Sequence, residues 1–254
     1  MMAAIMAVTT TVAAQLPTAK EVRQQMQVWT SLNSTLHLTN RWGLMADLHI
    51  RRTHGVADPS FYFARVGANW WLQDRFTLAG GYAHMWLAPG TAGWRRFANE
   101  HRLYQQALMN AQIGKTGLLM RFRNEQRWQQ IMANDAFTGR WKFSNRVRYL
   151  MSFSFPVSKQ PGKLAVVLAD EVLINFGRQV VYNTFDQNRI FLGVRHRLSK
   201  DWSYDAGYMH VFQQKATGWQ YDANHTLRLF FYYYNHNFRQ HKHRPRQMLD
   251  SREE

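Results

Sequence analysis

From residue 28 to residue 238 polar and apolar side chains alternate in stretches of about eleven residues, each parted from the next by a turn or loop. One parity carries Arg, Glu, Asn and Gln; the other carries Leu, Val, Phe, Tyr and Trp. Alternation with period two is how a β-strand presents two unlike faces. The stretches run over 28–38, 42–51, 61–72, 76–87, 98–109, 117–128, 140–155, 164–176, 186–198, 202–213 and 224–238. With hardly any helical periodicity between them, they predict an all-β chain, a transmembrane, antiparallel, up-and-down β-barrel of an outer membrane. Bacterial single-chain barrels have an even strand number, so about 12 strands (10–12) are expected from the eleven stretches. Either residues 16–27 add a poorly patterned strand or two strands have been merged.

Composition agrees with this once its average is read correctly. No run approaches the roughly 18 apolar residues of a membrane helix. The mean hydropathy of −0.47 resembles that of a soluble protein, but a spanning strand shows lipid only half its side chains. The chain has no Cys, which excludes a disulfide framework or a thiolate metal site. Its net charge of +16 raises the question of nucleic acid. Nucleic-acid modules gather Lys and Arg on one patch, whereas these Arg residues recur at every second strand position, so no nucleic-acid partner is expected.

The ends read differently from the middle. Residues 1–14 resemble a signal peptide whose start lies upstream of Met1, with a cleavage site after Val12-Ala13-Ala14. The competing reading is an ordinary flexible N-terminus. Residues 15–26 form a polar lead-in, 27–238 the barrel, and 239–254 a polar, mobile periplasmic tail. Phe238 resembles the terminal aromatic read by barrel-assembly machinery.

The outward parity holds, for example, Trp42, Leu44, Ala46, Leu48 and Ile50 in the second stretch. His84, Asn145, Asp170 and His196 fall on this face too, at an interface or beside a bulge. Short turns alternate with longer segments at 52–60, 88–97, 129–139, 177–185 and 214–223. Trp42, Trp70, Trp71 and Trp202 lie beside short turns; Trp86, Trp94, Trp128, Trp141 and Trp219 lie near the longer segments. Two aromatic girdles are the expected result.

The inward parity carries the chemistry. Its cations are Arg51, Arg65, Arg102, Arg121, Arg123, Arg127, Arg140, Lys142, Arg146, Arg148, Arg189, Arg195, Arg197 and Arg228. Its acids are Asp47, Glu100, Glu125, Glu171 and Asp205, so fourteen positive groups face five negative ones. Hairpin turns near 113, 159–160 and 200 set Glu100 opposite Arg127, Arg102 opposite Glu125, Arg148 opposite Glu171 and Arg195 opposite Asp205. The surplus of cations implies water, counter-ions or an anionic ligand inside. Rings of Arg favour anions in pores, whereas small barrels can also fill with a salt-bridge lattice that passes nothing. Arg52, Arg95, Arg96, Arg178 and Lys215 near the outer rim offer contacts to lipopolysaccharide phosphates.

Catalysis has little support. Membrane-embedded acyl hydrolases of this architecture place His and Ser two residues apart on one strand, and none of the eleven His residues has that neighbour. No catalytic residue, cofactor or metal site is assigned; His241-Lys242-His243 reads as part of a solvated tail.

Gly81-Tyr82, Glu100-His101-Arg102, Arg121-x-Arg123-x-Glu125-x-Arg127, Arg146-x-Arg148-Tyr149, Asp170-Glu171, Gln187-Asn188-Arg189 and Gly207-Tyr208-Met209 occur in that order. Over residues 27–238 the set resembles the bacterial family called "domain of unknown function 2490". That resemblance implies an outer-membrane β-barrel of a Gram-negative bacterium and no established activity. The reading is then a channel or binding site for small anionic solutes, with outer-membrane lipid, lipopolysaccharide and the assembly machinery as partners. Its rivals are a plugged structural or adhesive barrel, a lipid-acting enzyme and a soluble ligand-binding barrel.

Overall fold

The computed structural model describes residues 19–235, apart from 159 and 161. The expected signal peptide and its cleavage site, Phe238 and the tail from 239 lie outside the described residues.

Eleven strands follow one another: β1 (Glu21–His37), β2 (Trp42–Thr53), β3 (Asp58–Gln73), β4 (Phe76–Leu87), β5 (Ala98–Ile113), β6 (Thr116–Ala133), β7 (Ala136–Pro156), β8 (Leu164–Phe176), β9 (Phe185–Arg197), β10 (Trp202–Gln214) and β11 (Gln220–Asn235). Sequence neighbours pair antiparallel, and the ring closes through β1 and β11. That seam is parallel, from Glu21↔Gln220 to Leu36↔Asn235. Among the described residues the strands number eleven, within the expected 10–12 but odd where an even number was expected. In an up-and-down meander an odd count makes the first and last strands run the same way, so closure requires one parallel pair. Residues 21–27 form no strand of their own; they lengthen β1.

Connections 38–41, 74–75, 114–115, 157–163 and 198–201 share one end, the turn rim. Connections 54–57, 88–97, 134–135, 177–184 and 215–219 share the other, the loop rim. The segment 129–139 is no long loop: β6 and β7 meet at Asn134-Asp135, with φ of 49° and 54°. Two successive left-handed residues make the tight hairpin turn whose twist matches the flanking strands, and Asn and Asp tolerate that conformation.

The two faces are as unlike as the alternation demands. Leu48 and Leu192 are more than half exposed on the outer wall, with Ile50, Val66 and Leu227 around the same ring. Among the strand-borne charges on that wall, Arg52 sits near a strand end. Asp170, in mid-strand, accepts a hydrogen bond from Asn188 at 2.5 Å. Trp42 stacks on Trp70 at 5.4 Å near the turn rim, with Trp202 against Tyr233 further round. Trp86 and Trp141 lie exposed toward the loop rim. Trp71 departs from the expected girdle: it is 6% exposed and stacks inside on His37.

The lumen is packed with side chains. Arg65, Arg121, Arg123, Phe191, Phe230, Tyr232, Leu150 and Met209 are each under 2% exposed or nearly so. Close packing of rings is made possible by glycine. Gly193 pairs with Gly207 across β9 and β10, and a Cβ on Gly193 would lie 2.5 Å from the Phe191 ring.

Candidate functional site

Toward the loop rim the packed lumen opens into a cup of about 230 Å³. Arg102, Arg127, Arg146, Arg148 and Arg189 reach it from β5, β6, β7 and β9, and Arg51 from β2. Glu100 and Asp186 are the carboxylates in its lining. The wall contributed by β3 and β4 is apolar, with Phe61, Phe63, Met85 and Leu87. Gln129, Gln187 and Gln213 complete the lining. The cup therefore has a guanidinium side and an apolar side.

Alternation explains why these groups converge. On β5 and β6 every second residue points inward, bringing Glu100, Arg102, Arg121, Arg123, Glu125 and Arg127 to one surface. On β7 and β8 the same parity adds Arg146, Arg148 and Glu171. Glu125 sits 2.5 Å from Arg146, 2.9 Å from Arg148, 3.6 Å from Arg102 and 3.7 Å from Arg123. Glu171 takes Arg121 at 2.6 Å, Arg148 at 2.8 Å and Arg189 at 3.3 Å. Arg127 and Arg102 approach Glu100 at 2.8 and 2.6 Å. Such charge-assisted, partly bidentate contacts fix guanidinium planes in place. The result is one continuous lattice forming the floor of the cup.

Two smaller clusters continue the interior. Arg65 pairs with Asp47, both wholly buried. Arg195 meets Asp205 through two hydrogen bonds of 2.7 Å, and Arg228 approaches the same carboxylate at 3.4 Å. Nearer the turn rim, Leu108, Leu119, Val167, Phe230 and Tyr232 belong to an apolar cluster. Below them His37 lies between the Trp71 and Tyr234 rings. No part of this stack resembles an open bore.

Most of the expected inward residues are where the alternation places them. Arg65, Arg102, Arg121, Arg123, Arg146, Arg148 and Arg189 are buried in the lumen; the Arg127 and Arg195 side chains are 16% and 12% exposed. Arg197 is corrected: it is exposed at the turn rim, where its guanidinium lies against Gly162. Arg140 is exposed and Lys142 only partly covered, because β7 extends past the barrel body at its loop-rim end.

The facing pairs need correction too. The β9–β10 pair Arg195↔Asp205 is as expected. On β5–β6, however, Arg102 faces Arg127 and Glu100 faces Gln129, a shift of two residues. The turn occupies Gly114-Lys115, with Gly114 at φ 59°, one position beyond the expected centre. On β7–β8 Arg148 faces Leu173. A shift of two preserves parity, so Glu100–Arg127 and Arg148–Glu171 still bond, diagonally.

Two lumen acids escaped the sequence reading: Asp222, just before the stretch read from residue 224, and Asp186. Asp186 and Gln187 are both buried, although neighbours in a regular strand point to opposite faces. The ladder slips between Leu173↔Gln187 and Ile174↔Phe185, leaving Asp186 as a bulge. Its carboxylate thereby turns inward and accepts from Arg146 at 2.9 Å. Among the described residues, arginines buried or nearly buried in the lumen then number eleven (Arg51, Arg65, Arg102, Arg121, Arg123, Arg127, Arg146, Arg148, Arg189, Arg195 and Arg228). Seven carboxylates face them (Asp47, Glu100, Glu125, Glu171, Asp186, Asp205 and Asp222), a smaller surplus than sequence parity implied. That surplus gathers at the cup. Arg51, for example, lies over the Trp29 and Phe61 rings at 3.4 and 4.4 Å.

The rim cations Arg52, Arg95, Arg96, Arg178 and Lys215 all lie at the loop rim. Arg52 braces the β2–β3 connection through the Val56 and Ala57 carbonyls, and Lys215 meets Asp222 at 2.6 Å.

The family model described as "Protein of unknown function (DUF2490)" matches residues 26–222, from β1 into β11. No curated protein matches the chain, and no solved structure does. With its ordered Arg and Glu positions now placed in one lumen lattice, the chain belongs to this DUF2490 family.

Proposed function

We propose that the protein is an outer-membrane barrel of a Gram-negative bacterium that captures a small organic anion in its cup. The apolar outer wall, with Trp residues toward both rims, supports the membrane address. The observation that carries the capture reading is the two-sided cup: six arginines against two carboxylates on a packed floor, faced by Phe61, Phe63, Met85 and Leu87. Excess guanidinium in a partly dry site is stabilised by an anion, and an apolar wall favours a ligand with an apolar body. At about 230 Å³ the cup lies below the roughly 300–1,000 Å³ of pockets for drug-sized molecules, so the ligand is small. Binding is favoured over passage because the lattice and the apolar cluster occupy the axis beneath.

Titration of the detergent-solubilised protein with benzoate and with neutral benzamide, followed by calorimetry, tests this. Benzoate is expected to bind saturably and benzamide at least about tenfold more weakly, since buried charged partners discriminate by more than about 1.4 kcal/mol. Arg51→Gln should weaken benzoate by a similar factor. Equal affinity for the two ligands, or none for either, overturns the capture reading. Stable ohmic conductance in planar bilayers would return passage to first place.

A further inference from the structure

Two places on the outer wall repeat one constellation. Gly81-Tyr82-Ala83-His84 on β4 and Gly207-Tyr208-Met209-His210 on β10 share the pattern Gly-Tyr-x-His. In each case a second His stands directly opposite on the next strand: His84↔His101 and His210↔His225. The hairpins concerned, β4–β5 and β10–β11, lie on opposite sides of the ring. Directly opposed residues of an antiparallel pair hold their Cβ atoms about 4.5–5.5 Å apart, a separation two imidazoles can bridge through one ion. The ring centroids are 4.7 Å apart at the first place and 5.7 Å at the second.

At the first place three donors converge. The Tyr82 hydroxyl lies 2.5 Å from His101 Nδ1 and 3.3 Å from His84 Nδ1. His84 Nε2 is 3.0 Å from Asn99 Oδ1, an acceptor, so that nitrogen carries the hydrogen and Nδ1 keeps its lone pair. Asn99 is itself held by Gln130 through bonds of 2.9 and 3.1 Å. An imidazole oriented through its far N–H by an oxygen acceptor is the usual support of a metal ligand. At the second place the Tyr208 hydroxyl lies 2.7 Å from His225 Nδ1, with His210 across the strand. Among the described residues no three His, Asp or Glu side chains form a cage; here the third donor is a phenol.

We propose that each constellation binds a borderline divalent transition-metal ion, cupric or zinc, through two imidazole nitrogens and the tyrosine oxygen. Imidazole-rich sets select such ions over calcium or magnesium. An aromatic girdle alone accounts for Trp86 and Trp141 beside this cluster. It does not account for three ligand-type side chains meeting at the first place, nor for the recurrence of Gly-Tyr-x-His with an opposed His across the barrel. The sites stand apart from the cup and from its anion.

The test uses the full-length protein carrying His241→Ala and His243→Ala, which removes the tail imidazoles as competitors. Cupric ion alone is titrated into it and followed by electron paramagnetic resonance. Two equivalents with nitrogen couplings are expected. His101→Ala should remove one equivalent, and adding His225→Ala should remove the other. Tyr82→Phe, with both imidazoles of its site retained, should weaken the β4–β5 site about tenfold or more. Circular dichroism of each variant reports that the barrel is folded. Less than one equivalent bound by the folded reference protein overturns the proposal. So does undiminished binding in the His101→Ala/His225→Ala variant.

Discussion

Glu125 is 3% exposed and lies within 3.7 Å of four guanidinium groups. Compare Arg23 and Glu21, which meet at 3.0 Å with side chains 64% and 38% exposed. An exposed pair of that kind contributes about 0–1 kcal/mol. A buried lattice behaves otherwise: the intact set gains little over an apolar filling, but losing one member leaves buried charge uncompensated. Glu125→Gln is therefore expected to destabilise the barrel by about 3–5 kcal/mol. Outward-facing Gln126→Leu should stay within about 0.5 kcal/mol. Urea unfolding in detergent, read by tryptophan fluorescence, measures both; equal stability of the two variants would mean that the lattice is not under charge stress. Parity alone exposed five of the seven lumen acids, because each sits in a regular stretch of strand; Asp222 was missed because β11 begins earlier than the stretch read from residue 224. Asp186 stayed hidden because a bulge reverses parity locally, and no glycine or proline in Phe185-Asp186-Gln187 marks it.

Strands and their pairing carry a second layer of information, and turns determine how much of it can be read. Alternation located every strand, since each needs one polar and one apolar face. It could not fix register on β5–β6, because a slip of two residues leaves the faces unchanged. The Gly114-Lys115 pair was the available signal, as glycine opening a two-residue turn sets the hairpin centre. At the β6–β7 end Asn134-Asp135 gave a weaker signal than Asn-Gly, so a tight turn read as a loop. That turn also acts on its neighbour. The Asp135 carboxylate accepts from the Arg95 and Arg96 amides at 3.1 and 2.8 Å, fastening the β4–β5 connection to it. Asp135→Asn retains an acceptor and should behave like the parent, whereas Asp135→Ala should free that connection. Limited trypsinolysis then gives faster cleavage after Arg95 or Arg96 in Asp135→Ala, with the rest of the barrel resistant. Unchanged cleavage would show that the fastening has no mechanical effect.

Strand number has a consequence for the whole molecule that local pattern does not reveal. With eleven strands the polypeptide enters the barrel at Glu21 on the loop rim and leaves it at Asn235 on the turn rim. An even-stranded meander would bring both ends to one rim. The parallel seam is the structural signature of this difference, and it is invisible in the sequence because closure joins residues about two hundred positions apart, such as Trp29↔Arg228. In a membrane the two rims face different compartments, so the topology predicts which positions share a side. The absence of native Cys makes single-cysteine labelling unambiguous. Lys20→Cys, before β1, and Thr91→Cys, in the β4–β5 connection, should react together with a membrane-impermeant maleimide added to one face of a sealed vesicle. Asp74→Cys, in the β3–β4 turn, should react only from the other face. A twelfth strand made from the residues before Val28 would instead label Lys20→Cys with Asp74→Cys, and would require that the closing seam be redrawn as antiparallel.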